Sequence, residues 1–232
     1  MFINKIKGFK YPDIDLVRWF FKNNLDTLQN AKVLEFASHN GNNLSLFANY
    51  GYNCLGVELD KENHENAIYN FQEVMKYKKF QFYNQNMLDF AKTSKNIKAN
   101  VFLIPNVINY ISKDDFKNLL LNSKINNLYQ SSKETELKKG GGSYFFLKAR
   151  SIKDHRYGLG KDIGNGSFIL NKDEFSGEKN CLCTAYQEHE LVDILKRYLN
   201  LYDFQVITNE NINIKNNVYI KDSDIIIYGK IN

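Results

Sequence analysis

The sequence predicts an α/β fold in which a largely parallel sheet carries helices on both faces and ends in an antiparallel hairpin. Three observations lead there. Short apolar runs bounded by turn residues recur from Val33 to Ala149, as strands buried on both faces require. Amphipathic stretches with helical spacing lie between them. Two β-prone runs, Leu201 to Thr208 and Asp224 to Tyr228, close the chain with a polar loop as their link. A chain of 232 residues with 43% hydrophobic and 14% aromatic residues supplies one sizeable core and is no disordered segment.

Taken in order, Pro12 and Asp13 lead into a helix from Ile14 to Leu28, with Leu16, Val17, Phe20, Phe21, Leu25 and Leu28 on one face. Val33 to Phe36 is the first strand and ends in the turn His39-Asn40-Gly41-Asn42-Asn43. Leu44 to about Tyr50 is helical, and Cys54 to Leu59 is the second strand. Asp60 can cap the next helix, whose face is Ala67, Ile68, Phe71 and Met75. Phe80 to Tyr83 and Val101 to Ile104 are the third and fourth strands. Ser112 with Asp115 resembles a capping box for a helix bearing Phe116, Leu119, Leu120 and Ile125. Ser131 to Gly142 reads as a loop before the strand Tyr144 to Ala149. Thr184 with Gln187 opens a helix with Leu191, Ile194, Leu195 and Tyr198.

Composition narrows the function. No apolar run approaches the 18 or so residues of a membrane span, and the mean hydropathy is −0.48. Lys5, Lys7, Gly8 and Lys10 break up the opening stretch, so the expectation is a cytoplasmic protein. Cys54, Cys181 and Cys183 match no zinc spacing and are expected to stay reduced; no metal site is expected. The net charge of +5 comes almost wholly from lysine, since Arg18, Arg150, Arg156 and Arg197 are the only arginines. That profile fits a biased composition on a solvated surface better than a phosphate-tracking face, so no nucleic-acid partner is expected.

In open parallel sheets a ligand sits beyond the carboxyl ends of the strands, where strand order reverses. The turn Glu35-Phe36-Ala37-Ser38-His39-Asn40-Gly41 occupies that place, and Glu58 closes the second strand 23 residues after Glu35. A carboxylate there can accept from both hydroxyls of a ribose. The three glycines of a dinucleotide fingerprint and a GxxxxGK[ST] phosphate loop are both missing, which favours a ligand without phosphate at this turn.

These residues resemble the class I S-adenosylmethionine-dependent methyltransferases, which have a Rossmann-like sheet. Val33 to Asn43 resembles their first motif, Glu58 in Gly56-Val57-Glu58-Leu59-Asp60 their ribose-binding acid, and Asn84 to Phe90 the segment with their adenine-contacting acid. Ala99 to Tyr110 resembles their fourth strand and following loop, and the terminal hairpin resembles theirs. Ala37 and His39 stand where that family usually has glycine, and Asn86 where it has aspartate.

The resemblance implies S-adenosylmethionine as cofactor, bound by Glu35, Ala37, His39, Gly41, Glu58, Leu59, Asn86, Met87 and Asn106. His39 either donates to the cofactor carboxylate, narrows the pocket or faces solvent. Pro105-Asn106-Val107 is not the Asn-Pro-Pro-aromatic motif of base N-methyltransferases, which counts against nucleobase amines. The loop Lys148 to Lys161 gathers arginines, lysines, an aspartate and a histidine, and resembles a loop of small-molecule methyltransferases from bacterial surface-sugar (capsule or surface polysaccharide) gene sets. It points to a small polar, anionic acceptor such as a sugar, nucleotide-sugar or phosphorylated metabolite. His155, with Asp154 as alternative and Tyr110 as a pocket wall, is the catalytic candidate; Arg150, Arg156 and Arg18 are the acceptor-binding candidates. The chain is expected to form one domain: residues 1–30 as a helical lid or sheet cover, 31–150 as the cofactor half, and 151–232 as acceptor loop, helix and hairpin. Rival readings are an RNA methyltransferase and a cofactor-binding module without catalysis; a nicotinamide dehydrogenase ranks below both.

Overall fold

The computed structural model describes residues 2–131, 141–171 and 177–232, so most of the expected loop Ser131 to Gly142 lies outside the described residues. The strands are β1 Lys32–Phe36, β2 Asn53–Glu58, β3 Phe80–Asn84, β4 Val101–Pro105, β5 Ser143–Arg150, β6 Lys161–Gly164, β7 Ser167–Ile169, β8 Leu182–Thr184, β9 Tyr202–Lys215 and β10 Val218–Ile231. The α-helices are α1 Ile14–Lys22, α2 Asn42–Asn49, α3 Lys61–Tyr69, α4 Met87–Thr93, α5 Lys113–Ile125 and α6 Glu188–Leu199. A seven-stranded mixed sheet runs β3-β2-β1-β4-β5-β10-β9, and a three-stranded sheet runs β6-β7-β8. The pairs β1/β2, β1/β4 and β2/β3 are parallel and β9/β10 is antiparallel, as the alternation of strands and helices predicts. Among the described residues no helix is long and apolar enough to cross a membrane.

The chain divides into two compact units. The first comprises residues 1–103, 122–145 and 231–232. Its core is aromatic. Phe36 meets Phe102 at 5.3 Å and Phe90 at 6.1 Å, while Phe71 meets Phe82 at 5.0 Å. Helix α1 begins at Asp13, whose side chain accepts from the amides of Asp15 and Leu16. It buries Leu16, Trp19 and Phe20 and sets the Phe20 ring edge-on to Phe47 at 5.0 Å. It stops at Lys22, well short of the expected Leu28. Asn24 turns left-handed (φ 52°), and Leu25–Thr27 forms a separate 3-10 turn. Phe21, expected on the buried face, is 45% exposed and lies against Phe20 and Tyr50. Asp60 caps α3 by accepting from the Asn63 amide, as expected. Past Tyr69 the helix widens into a π turn, Asn70–Val74, and α4, which went unrecognised in the sequence, is capped by Asn86.

The second unit comprises residues 104–121 and 146–230. Ser112 caps α5: its Oγ accepts from the Asp115 amide at 3.0 Å and donates to the Asp115 carboxylate at 2.7 Å. Phe116, Leu119 and Leu120 are buried, but Ile125 is exposed at the frayed end. Helix α6 starts at Glu188 with a Gln187/Glu190 capping box, so Thr184 is a strand residue and not the expected cap. Both hairpin strands are 14 residues long, well beyond the two apolar runs. Asn216 and Asn217, both at positive φ (49° and 62°), make the two-residue turn that suits the twist of paired strands. The alternating polar tip had concealed that length. Removing the ring at the centre of the first unit's aromatic cluster, Phe20→Ala, should destabilise the protein by about 3–5 kcal/mol in urea unfolding.

Candidate functional site

In the first unit the loop after β1 lies at the carboxyl end of a strand flanked by β2 and β4, where the strand order reverses. Its shape follows from close packing. A Cβ on Gly41 (φ +78°) would come within 2.8 Å of the Phe71 ring, and one on Gly56 within 2.5 Å of Phe82 and of Ser38 Oγ. Ala37 and His39 also adopt left-handed backbone, at φ 53° and 49°. These are the two positions where glycine was the familiar residue, so the loop holds a glycine-type backbone with heavier side chains.

Two carboxylates frame this loop. Glu58 is 8% exposed. Its Oε2 accepts from the His39 amide and its Oε1 from the Asp60 amide, each at 2.8 Å. Each oxygen retains a further acceptor site, so the carboxylate is oriented by the fold and can still take two hydroxyl donors. Glu35 is 1% exposed, and its Oε1 accepts from Asn43 Nδ2 at 2.7 Å. Burial pushes the Glu35 carboxyl up to about 8, helped by the charges of Glu58 and Asp13 and opposed by the Asn43 hydrogen bond. Glu35 Oε2 and Ser38 Oγ are buried and have no hydrogen-bond partner among the described residues. With Glu35 protonated, its Oε2 and Ser38 Oγ can each donate as well as accept, while the oriented Glu58 carboxylate suits a ligand with hydroxyl donors.

The His39 ring stacks on Phe9 with centroids 4.7 Å apart, and its Nδ1 lies 2.8 Å from Asn40 Oδ1. The ring is thus engaged by the amino-terminal segment and by a neighbour in the loop. That segment is itself tied to the loop. Asn40 Nδ2 donates to the Lys7 and Phe9 carbonyls, Asn42 Nδ2 to the Tyr11 carbonyl, and the Asp13 amide to Asn43 Oδ1. Asn70 adds bonds to Lys7 and to the Asn40 carbonyl from the π turn. Sequence reasoning missed Asn40, Asn43 and Asn70 because asparagine is common along the whole chain; position within the first turn was the available clue for Asn40 and Asn43, and Asn70 had none. Asn86 spends its Oδ1 on the Leu88 amide, capping α4, with Met87 buried behind it and Leu59 exposed after Glu58. Arg18 does not reach inward: its side chain is 72% exposed and pairs with Asp15 at 3.5 Å.

The second unit gathers the other expected residues. Asn106 follows β4 with left-handed backbone and is exposed. Asp154, 3% exposed, accepts from the amides of Arg156 and Ser223, each at 3.0 Å, and from Arg156 Nε and NH2 at 2.7 and 2.8 Å. Burial would raise its carboxyl, but these four donors outweigh burial and hold it below the usual carboxylate range. So engaged, Asp154 is a poor proton acceptor and serves as the anchor of Arg156. His155 Nδ1 lies 3.4 Å from Asp222 and 3.6 Å from Asp154. Arg150, also 3% exposed, donates to Cys183 Sγ at 3.1 Å and to both oxygens of Glu178 at 3.1 and 3.0 Å. Tyr110 donates to Glu178 Oε1 at 3.0 Å. The histidine, the two arginines and Tyr110 are thus brought together with three acids, of which the sequence had indicated only Asp154.

No protein-family model matches the sequence, and a sequence comparison with curated proteins finds no match. Structural comparison does find similar folds. A methyltransferase from Methanosarcina mazei, described as S-adenosylmethionine-dependent, superposes with a TM-score of 0.64 at 15% identity, over 90% of this chain and 96% of that one. The fold is shared with that solved methyltransferase. The Synechocystis magnesium protoporphyrin IX methyltransferase, solved with bound S-adenosylmethionine, gives 0.56 at 12% identity over 93% of this chain and 76% of that one. A Burkholderia thailandensis 1,6-didemethyltoxoflavin-N1-methyltransferase, solved with its substrate and S-adenosylhomocysteine, gives 0.56 at 11% identity over 94% and 78%.

Two outcomes follow from this methyltransferase-like frame. Because folded Glu35 keeps its proton until about 8, against an ordinary value of 4.5 for the exposed side chain, its contribution to stability falls as pH rises between those values. Glu35→Gln should remove that fall, so urea unfolding at about pH 5 and about pH 9 should show the variant gaining on the parent at the higher pH. Ala37→Gly should stabilise by on the order of 1 kcal/mol by relieving left-handed backbone, read as a higher urea midpoint.

Proposed function

We propose that the chain is an S-adenosylmethionine-dependent methyltransferase whose acceptor is a small polar molecule carrying an anionic group. The observation that carries this reading is the Glu58 carboxylate, closing β2 and pinned by one amide from each neighbouring loop. Glu58 would hold the ribose hydroxyls of the cofactor, and the loop Ala37–Gly41 would pass along its amino-acid end. Glu35, Asn86 and Met87 are the further candidates in the same unit, with Leu59 as an outer one. The Glu58 carboxylate favours a cationic ligand over a neutral one. Solved neighbours bound to S-adenosylmethionine or S-adenosylhomocysteine support the cofactor assignment, and those acting on a porphyrin and a toxoflavin precursor support a small acceptor.

When bound, S-adenosylmethionine supplies a methyl group on a sulfonium, ready for in-line displacement by an acceptor heteroatom. The work left to this chain is positioning, exclusion of water and proton removal. We assign the proton to His155. Asp222, 3.4 Å from Nδ1, can steady the imidazolium that results. Arg150 and Arg156 are assigned to the acceptor's anionic group, and a cytoplasmic location and a role in surface-sugar modification go with this reading.

Calorimetric titration with S-adenosylhomocysteine tests the cofactor half. Binding by the parent protein and at least tenfold weaker binding by Glu58→Gln are expected; no heat from the parent protein would sink the proposal. His155→Ala should lower kcat by about a hundredfold or more with cofactor affinity unchanged. Stopped-flow product analysis on a phosphorylated sugar pool checks that outcome.

A further inference from the structure

We propose that Tyr110, Arg150 and Arg156 form a binding cradle for a phosphate monoester, and that Glu178 fills this cradle in the free chain as a stand-in for the ligand. The inference deepens the functional proposal and rests on it, because it names the acceptor's anionic group and the residues that receive it.

Three side chains from three places in the second unit converge on one carboxylate. Tyr110 Oη donates to Glu178 Oε1 at 3.0 Å, Arg150 NH2 to Oε1 and Oε2 at 3.1 and 3.0 Å, and Arg156 NH1 to Oε1 at 3.1 Å. Oε1 thus faces three donor groups at once. A carboxylate oxygen has about two acceptor sites, so three donors crowd it. Every one of these contacts is also longer than the roughly 2.7–2.9 Å of a well-seated charged pair. Asp154 provides the contrast in the same cluster, holding Arg156 at 2.7 and 2.8 Å. Asp154 is a fitted partner and Glu178 a loose one. A phosphate monoester spreads its charge over three terminal oxygens and can give each donor group its own.

The arginines do not depend on Glu178 for their place. Arg156 is anchored by Asp154 and approached by Asp222 at 3.4 Å. Arg150 also donates to Cys183 Sγ, and its amide donates to Asn109 Oδ1 at 2.7 Å. The backbone around the cradle is fixed by the same means, since the Tyr186 amide donates to the Arg150 carbonyl at 3.0 Å. Exchange of Glu178 for another anion therefore keeps both arginines paired, which keeps the penalty for a buried unpaired arginine out of the binding step. The cradle is partly open to solvent: the side chain of Arg150 is 4% exposed, that of Glu178 is 17%, and Tyr110 is 43% exposed.

Methyl phosphate is the probe, titrated against the full chain at constant ionic strength, with acetate as the carboxylate control. Methyl phosphate should raise the melting temperature of the parent protein more than acetate does. Glu178→Gln should bind it at least tenfold more tightly than the parent, and Tyr110→Phe, a change at an exposed ring, should bind it several-fold more weakly. If Glu178→Gln fails to fold, the parent and Tyr110→Phe titrations decide alone. Equal response to acetate and methyl phosphate, or no response in any variant, overturns the inference. With S-adenosylhomocysteine bound normally, that result leaves the methyltransferase proposal standing. Methyl phosphate binding in a protein that binds no S-adenosylhomocysteine overturns the cradle's role as an acceptor site along with the enzyme proposal.

Discussion

The Glu58 carboxylate is the hinge of the first unit's chemistry. By accepting one amide from the loop after β1 and one from the start of α3, it ties two strand ends to a single negative group. The parallel pairing of β1 with β2 brings those ends together, and Glu35 faces Gly56 in that register. The bond from the His39 amide to Glu58 helps hold that histidine's left-handed backbone, together with the ring's contacts to Phe9 and Asn40. The loop's conformation, its electrostatics and its acceptor geometry thus depend on one side chain that the sheet delivers to its carboxyl edge.

Around that point the protein substitutes asparagine for the usual means of shaping a tight loop. Asn40, Asn42, Asn43 and Asn70 reach the backbone of residues 7–13, and Asn43 also reaches Glu35. An amide side chain donates and accepts at once, so it can join two backbone segments that no ladder connects. The expected lid or sheet cover at residues 1–30 is resolved into two parts with different work. Residues 7–13 are bonded to the candidate site, whereas α1 packs its aromatic face on Phe47 and Tyr52.

The second unit follows a different principle. Its buried charges are matched in pairs and triads: Lys113 with Glu190 at 2.6 Å, Lys148 with Asp224 at 3.7 Å, and the arginine cluster with Asp154, Glu178 and Asp222. Such groups are held in the interior only where hydrogen bonds satisfy them. The residues expected to receive an acceptor have internal partners in the free chain, and the contact lengths separate a fitted partner, Asp154, from a loose one, Glu178.

Sequence periodicity alone determined the alternation of buried strands and amphipathic helices, the caps at Asp60 and Ser112, the terminal hairpin and the placing of Glu35 and Glu58 at strand ends. These are local or period-governed properties, written in the residues that carry them. The family resemblance marked Ala37 and His39 as replacements for glycine, and the structure shows positive φ at both. Tertiary structure decided what depends on residues far apart in the chain. It tied residues 7–13 to the loop after β1 and brought Glu178 to Tyr110, Arg150 and Arg156. Glu178 is 22 residues from Arg156 and 68 from Tyr110 along the chain. No spacing rule joins positions whose meeting is set by how a small sheet and a loop pack, so that contact exists only in three dimensions.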